Sequence, residues 1–224
     1  MNEDIYLKYS IHFLYNMIKK LKRIEVEEKL KSLGLIVFTP QEFKDIFEVS
    51  QNTASVFITL NLKSGLFTKL RNGFYMIKDA IVPHYFIANK LYQPSYISLE
   101  TALSYYGLIP ETVYGFTSIT TKASREYEIA IGNFTYQTIK KEAFTGYQLK
   151  DINQEKVLIA DPEKALADYL YFVDLKKVSL NDRLELRNID KNKLIKYAKL
   201  FNRKGMLKLI EEIYVEYRKP REIY

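Results

Sequence analysis

The chain contains no cysteine, no tryptophan and only two histidines in 224 residues. Without cysteine it has neither disulfides nor thiolate chemistry, which fits a reducing compartment. No apolar run approaches the roughly 20 residues that are needed to cross a bilayer. Residues 1–4 lack the charged start and apolar stretch of a secretory signal. These absences predict a cytoplasmic protein that does not enter a membrane.

Patterns for catalysis and for cofactor binding are missing as well. Neither His12 nor His84 has a second histidine at ligand spacing, so we expect both to be structural. The eight glycines form no phosphate-binding loop and no dinucleotide fingerprint. Glu163, Lys164 and Asp168 resemble a nuclease-like acidic cluster, but their spacing also suits a helix N-terminus and an i,i+4 ion pair. We predict no cofactor, no metal ion and no catalytic residue, with a nuclease or nucleotidyl-transferring enzyme at this helix as the alternative.

The charge balance is basic. The formal net charge is +7 and the pI is about 9.2. Residues 1–80 hold twelve basic and nine acidic side chains, a net of +3, which leaves +4 for the remainder. The excess is therefore spread over the chain, with no basic arm or tail. Such a balance suits a polyanionic partner.

Residues 39–77 carry the signals of a winged helix-turn-helix in the required order. Thr39 to Glu42 forms a capping box with proline at the first helical position, which predicts a helix beginning at Pro40. Ser50 is a suitable N-cap for a second helix that runs to about Ser64. Two short strands then flank Asn72-Gly73, the strongest short hairpin signal. The hairpin is the predicted wing.

One face of the second helix has the chemistry that DNA recognition requires. At 100° per residue its amide, hydroxyl and ammonium side chains share an arc of about 120° without a carboxylate, while Leu60 falls on the opposite, apolar side. Asparagine and glutamine can pair with adenine edges, and lysine and arginine can hold phosphates. A solvated surface helix is the alternative. The predicted DNA-binding residues are Ser50, Gln51, Asn52, Thr53, Ser55, Thr59, Lys63, Lys69, Arg71 and Asn72.

The pattern predicts an α+β protein with two domains, residues 1–79 and 80–224. The first is the winged domain with an extra leading helix over residues 4–22. In the second, alternating residues between 114 and 160 predict a mostly antiparallel sheet with a hairpin turn at Gly132-Asn133. Capped helices are predicted to begin after Ser98 and Asp161, and a helical tail follows, in which Asp190 is the predicted cap of a helix.

Aromatic residues alternate along the predicted strands of the second domain. Phe116, Tyr127, Phe134 and Tyr136 can stack bases of single-stranded nucleic acid, or they can pack within a half-buried sheet.

Three stretches together resemble the AbiEi family of abortive-infection, type IV toxin–antitoxin systems. The first is the wing, residues 65–75. The most specific is residues 94–103, PSYISLETAL, continuing into GLIPE at 107–111. The third is residues 160–168, ADPEKALAD. The motif positions within the second domain are Ser98, Glu100, Glu111, Asp161, Glu163 and Lys164.

The resemblance implies a transcriptional autorepressor that binds inverted repeats in its operator and also acts as an antitoxin. The implied partner is a nucleotidyltransferase-like toxin, countered without a stable complex. Glu100 and Glu111 are either a polar patch for another protein or local helix and turn caps. The alternative function is a plain winged-helix transcription factor whose second domain binds a ligand or dimerises.

Overall fold

The computed structural model describes residues 21–217, which form two compact units that divide after Val82. We refer to residues 21–82 as the first unit and to residues 83–217 as the second unit. Residues 4–20 of the predicted leading helix, including His12, lie outside the described residues. No helix among the described residues is long and apolar enough to span a membrane.

The first unit contains three helices, α1 (Arg23–Ser32), α2 (Pro40–Phe47) and α3 (Gln51–Lys63). The predicted capping box begins α2. The amide of Glu42 donates to Thr39 Oγ1 at 3.2 Å, and the amide of Thr39 donates to Glu42 Oε2 at 2.7 Å. Two otherwise unpaired backbone donors are thereby satisfied, and proline at the first helical position removes a third.

A small antiparallel sheet completes the first unit. Its strands are β1 (Val37–Phe38), β2 (Phe67–Arg71) and β3 (Phe74–Ile77), in the order β1-β3-β2. The predicted Asn72-Gly73 turn joins β2 to β3, and Gly73 has a φ of +77°, which glycine adopts without strain. Helices α2 and α3 with this hairpin confirm the winged helix-turn-helix fold.

Phenylalanine rings fill the core of the first unit. Phe38 meets Phe67 edge to face with ring centroids 5.0 Å apart, and Phe43 stacks on Phe57 at 5.4 Å. These rings come from β1, β2, α2 and α3, so each element holds the next in place. The hairpin and α3 are therefore anchored to one shared core.

The second unit combines a mixed six-stranded sheet with helices. Its helices are α4 (His84–Leu91), α5 (Leu99–Tyr105), α6 (Pro162–Asp174), α7 (Lys191–Lys199) and α8 (Lys204–Tyr217). Its strands are β4 (Ser95–Ile97), β5 (Gly115–Thr120), β6 (Arg125–Ile129), β7 (Gly132–Thr138), β8 (Tyr147–Ile152) and β9 (Glu155–Ala160). The strand order is β6-β7-β5-β4-β9-β8. Three of the five pairings are antiparallel, while β4 with β9 and β5 with β7 are parallel.

The predicted turn at Gly132-Asn133 is wrong. The turn comes two residues earlier, at Ala130-Ile131, and Gly132 pairs with Ile129 as the first residue of β7. The φ of Gly132 is +138°, which residues with a side chain rarely adopt, whereas a Cβ at this position would only be in ordinary contact with the Phe116 ring at 3.5 Å. The glycine therefore serves the backbone conformation at the start of β7 and not the turn.

Helix α6 is central to the second unit. It packs against α5, α7, α8 and β9, and nine of its thirteen residues are buried. Asp161 and Pro162 begin it as predicted, but the Asp161 side chain makes no capping hydrogen bond. Asp190, by contrast, caps α7 as predicted, with Oδ1 accepting from the amides of Asn192 and Lys193.

Candidate nucleic-acid interface

The exposed face of α3 carries most of the predicted DNA-binding residues. Gln51, Asn52, Ser55, Thr59 and Lys63 are all exposed, and α3 contains no acidic residue. The opposite face is buried against the phenylalanine core through Ala54, Phe57 and Ile58. The helix thus presents neutral hydrogen-bonding groups and one ammonium group to solvent.

Thr53 is not part of this face. It is 0% exposed, its amide donates to Ser50 Oγ at 3.1 Å, and the two hydroxyl oxygens lie 2.8 Å apart. The prediction that Thr53 contacts DNA is therefore wrong, because Thr53 is on the inner side of the first turn. Ser50 itself is exposed, but its hydroxyl already caps the helix.

The inner face of α3 also includes a buried amide that hydropathy did not indicate. Asn61 is 5% exposed, and its Nδ2 donates to the carbonyl of Phe57 at 2.8 Å. Ser64 Oγ donates to Asn61 Oδ1 at 3.3 Å, so both ends of the amide are satisfied. Leu60, which was expected on the apolar side, is 50% exposed and joins the outer face.

Thr59 is partly engaged by its own helix. Its Oγ1 donates to the carbonyl of Ser55 at 2.8 Å. The hydroxyl oxygen keeps its acceptor capacity toward solvent or a ligand. Thr59 therefore presents an oriented acceptor, whereas Asn52 presents both a donor and an acceptor.

The wing adds two cations beside an exposed tip. Lys69 and Asn72 are exposed. The Arg71 guanidinium lies 3.9 Å from the Phe74 ring centroid, and Nη1 donates to the carbonyl of Asn72 at 3.1 Å. The cation–π contact and the hydrogen bond hold Arg71 across the hairpin. Its charge is thus presented from a fixed position.

Charge is segregated along the first unit. Residues 49–78, which include α3 and the wing, contain four basic residues and no aspartate or glutamate. The acidic residues of the first unit lie in α1 and α2 and at Glu48 and Asp79. Helix α3 and the wing therefore lie in a stretch of positive net charge, which suits a polyanion.

The predicted motif residues of the second unit include a buried polar network. Lys164 and Asp168 are 0% exposed and form the predicted i,i+4 ion pair. Asp168 Oδ2 also accepts from Ser98 Oγ at 2.8 Å and from the Tyr96 hydroxyl at 3.0 Å. Burial raises the pKa of Asp168, although Lys164 opposes that shift. Closed from solvent on every side, this carboxylate offers no surface to a substrate.

Ser98 was predicted to cap α5, but its side chain does not do so. It occupies the N-cap position, but its hydroxyl is directed to Asp168. The next residue, Leu99, has a φ of +54°, a strained conformation for a side chain of this size. The start of α5 is held by the buried network and not by a local cap.

Asp161 and Glu163 make a second polar cluster at the start of α6. Lys193 Nζ lies 2.9 Å from Glu163 Oε2 and 3.3 Å from Asp161 Oδ2. The Tyr197 hydroxyl donates to Asp161 Oδ2 at 3.1 Å, and Glu163 Oε1 accepts from the amide of Asp190 at 3.3 Å. These contacts join α6 to α7, which is a structural role.

Glu100 and Glu111 lie in different local environments. Glu111 forms a salt bridge with Arg183, and its Oε2 accepts from Asn181 Nδ2 at 2.9 Å. Glu100 is half-buried and lines a cleft of about 190 Å³ with Thr117, Gln137 and Tyr169. Burial raises the pKa of Glu100.

The aromatic residues of the sheet divide between core and surface. Phe134 and Tyr136 are 0% exposed, so neither can stack a base. His84 stacks on Phe116 with ring centroids 4.8 Å apart.

Within residues 21–217 no group of three or more histidine, aspartate or glutamate side chains is placed to hold a metal ion.

No protein-family model matches the chain, and a search of curated proteins finds no match.

Proposed function

We propose that the first unit binds duplex DNA sequence-specifically, with α3 in the major groove and the wing along the backbone or minor groove. The observation that carries the proposal is the exposed, carboxylate-free face of α3 beside the basic wing. An α-helix fits the major groove, where amide side chains can read base edges. The chain would then act as a transcriptional repressor in the cytoplasm.

The side chains have different roles in this proposal. Asn52 and Gln51 are placed to pair with adenine edges, and Ser55 and Thr59 offer hydroxyl groups beside them. Lys63, Lys69 and Arg71 hold phosphates, which sets affinity without selecting sequence, and Asn72 at the wing tip accompanies them. Thr53 has no role in binding because it is buried.

The experiment is a gel-shift titration on the DNA upstream of the gene, with scrambled competitor and a salt series. Asn52→Ala should weaken binding to the matched site by about 5- to 150-fold, equivalent to about 1–3 kcal/mol, and bring it closer to the scrambled site. Asn192→Ala, at an exposed asparagine of α7, is the matched control.

Arg71→Ala should weaken all sequences alike and lower the salt slope by about one. Arg125→Ala, at an exposed arginine of β6, is the control for the loss of one charge. If Asn52→Ala and Arg71→Ala both bind matched and scrambled DNA as the natural chain does, the assignment of DNA binding to α3 and the wing is wrong.

The resemblance to the AbiEi family supports a second half of the proposal. The operator would consist of inverted repeats in the chain's own promoter, and the second unit would counter a nucleotidyltransferase-like toxin without a stable complex. Co-expression with the product of the adjacent gene tests this half. Growth rescued by the full chain, and by an Asn52→Ala chain deficient in DNA binding, would separate antitoxin action from repression.

A plain transcription factor with a ligand-binding second unit is the second candidate. The clefts of the second unit favour it, since ligand sites are concave and few per protein. An adjacent gene whose product is harmless when expressed alone would favour this candidate over the antitoxin.

A further inference from the structure

A cleft of about 540 Å³ lies in the second unit, beside the place where β4 and β9 separate. These parallel strands share the single register pair Ile97–Ile159. Beyond this pair, the side chain of Asn89 in α4 forms two hydrogen bonds with the backbone of Leu158. Its Nδ2 donates to the carbonyl at 3.2 Å, and its Oδ1 accepts from the amide at 2.6 Å. The cleft is lined by Asn89, Gln93, Pro94, Ser95, Lys122, Phe144, Tyr147 and Leu158.

The charge of the cleft selects an anion. Lys122 is exposed, and it belongs to none of the ion pairs among residues 21–217; its Nζ lies 5.7 Å from the Tyr92 ring centroid. No acidic residue lines the cleft. An anionic group at Lys122 would therefore meet attraction without competition from a neighbouring carboxylate.

Two residues of the cleft lining, Phe144 and Tyr147, are aromatic and held in place. Phe144 and Tyr147 are half-buried, with ring centroids 5.3 Å apart. Tyr147 also stacks on the buried Tyr96 ring at 4.5 Å, which fixes its orientation. A fixed aromatic wall favours a flat ring, because stacking then orders few side chains.

We propose that this cleft binds a nucleoside monophosphate, with the base against Phe144 and Tyr147 and the phosphate at Lys122. The volume of the cleft is in the range of small-molecule sites. The proposal does not depend on DNA binding, because every residue involved lies in the second unit.

The experiment is isothermal titration calorimetry of the full chain with AMP, GMP, CMP and UMP, and with adenosine and inorganic phosphate as partial ligands. At least one monophosphate should bind with a stoichiometry of one and more tightly than either partial ligand. Lys122→Met should weaken that binding by about tenfold, as expected for loss of a charged contact. Lys196→Met, at an exposed lysine of α7, should leave it unchanged.

Several results would overturn the proposal. They are no heat from any monophosphate at millimolar concentration, equal binding of inorganic phosphate, or unchanged binding of the monophosphate by the Lys122→Met variant. The gel-shift result is separate: a chain that fails to bind DNA but binds a monophosphate at Lys122 would refute the DNA proposal alone.

Discussion

Replacing Lys164 with methionine would leave Asp168 buried without its cation. The methionine keeps most of the aliphatic stem, so the packing beside Phe201, whose ring centroid lies 4.8 Å from Lys164 Nζ, is largely retained. Asp168 would still accept from Ser98 and Tyr96, but both donors are neutral. Removing one partner of a buried ion pair destabilises a protein by about 3–5 kcal/mol. We expect a loss of this size in the unfolding free energy at pH 7.

The size of the loss should depend on pH. Burial raises the pKa of Asp168 above its unfolded value of about 3.9, and Lys164 counteracts that shift. In the variant the pKa of Asp168 should rise further. A carboxyl group whose pKa is raised in the folded state contributes stability below the unfolded pKa and loses it as pH rises through the folded pKa. The deficit relative to the natural chain should therefore shrink between pH 8 and pH 5.

Urea unfolding followed by circular dichroism at four pH values between 5 and 8 measures the deficit. Hydrogen exchange over residues 162–174 assigns it to α6. The double variant Lys164→Met, Asp168→Leu removes both charges and should recover most of the stability. A deficit below about 1 kcal/mol, or one that is constant with pH, would refute the reasoning that the variant leaves Asp168 as a buried carboxylate without a cation.

The remaining predictions concern local features of the two units. Thr39→Ala removes the capping box with Glu42 and should destabilise the first unit by about 1 kcal/mol in urea unfolding; no change would mean that the cap is replaced by water. Gly146 and Gly107 form a matched pair, with φ values of +75° and +66°. A Cβ at Gly146 would lie 2.6 Å from the Tyr197 ring, whereas a Cβ at Gly107 would point into open space. Gly107→Ala should lower the free energy of unfolding by about 1–2 kcal/mol, because alanine is strained in the left-handed backbone conformation. Gly146→Ala should lower it clearly more, because the added Cβ also meets the Tyr197 ring. Equal melting temperatures for the two variants would contradict the close approach to Tyr197.

Features that depend on a few neighbouring residues could be predicted from the sequence. The capping box at Thr39, the hairpin at Asn72-Gly73 and the cap at Asp190 each involve residues within three or four positions of one another. The i,i+4 spacing also identified the Lys164–Asp168 pair. In each case the hydrogen bonds are local, so the chain does not need its tertiary fold to determine them.

Features that depend on the sheet could not be predicted in this way. The pairing of β4 with β9 joins segments about sixty residues apart, and no local pattern encodes it. Gly132 has the residue type of a turn, but it pairs with Ile129 of β6 as the first residue of β7. Ser98 has the residue type of a cap, but its hydroxyl donates to Asp168, seventy residues away. At Ser98 and in the β4–β9 pairing, long-range partners override local propensity.

The candidate DNA face lies between these two cases. Helical spacing predicted its polar arc but also placed Leu60 on the apolar side, and Thr53 was included among the DNA-binding residues although it is buried. Asn61 is a polar residue on the buried side, because a carbonyl of its own helix and Ser64 satisfy its amide. A hydropathy scale assigns every asparagine to solvent and cannot register such pairing.

Asn89 acts as a peptide mimic, since its side-chain amide presents one donor and one acceptor to Leu158 in the way that a neighbouring strand would. Position 89 therefore requires a side chain with both a donor and an acceptor, and a side chain of equal volume is not sufficient. Aspartate matches the shape but, when ionised, has no donor, and leucine has neither group. Among homologues that share this sheet, position 89 should therefore tolerate far less change than its neighbours on α4. An asparagine kept on that helix turn would mark the same gap between strands in chains whose structures are unknown.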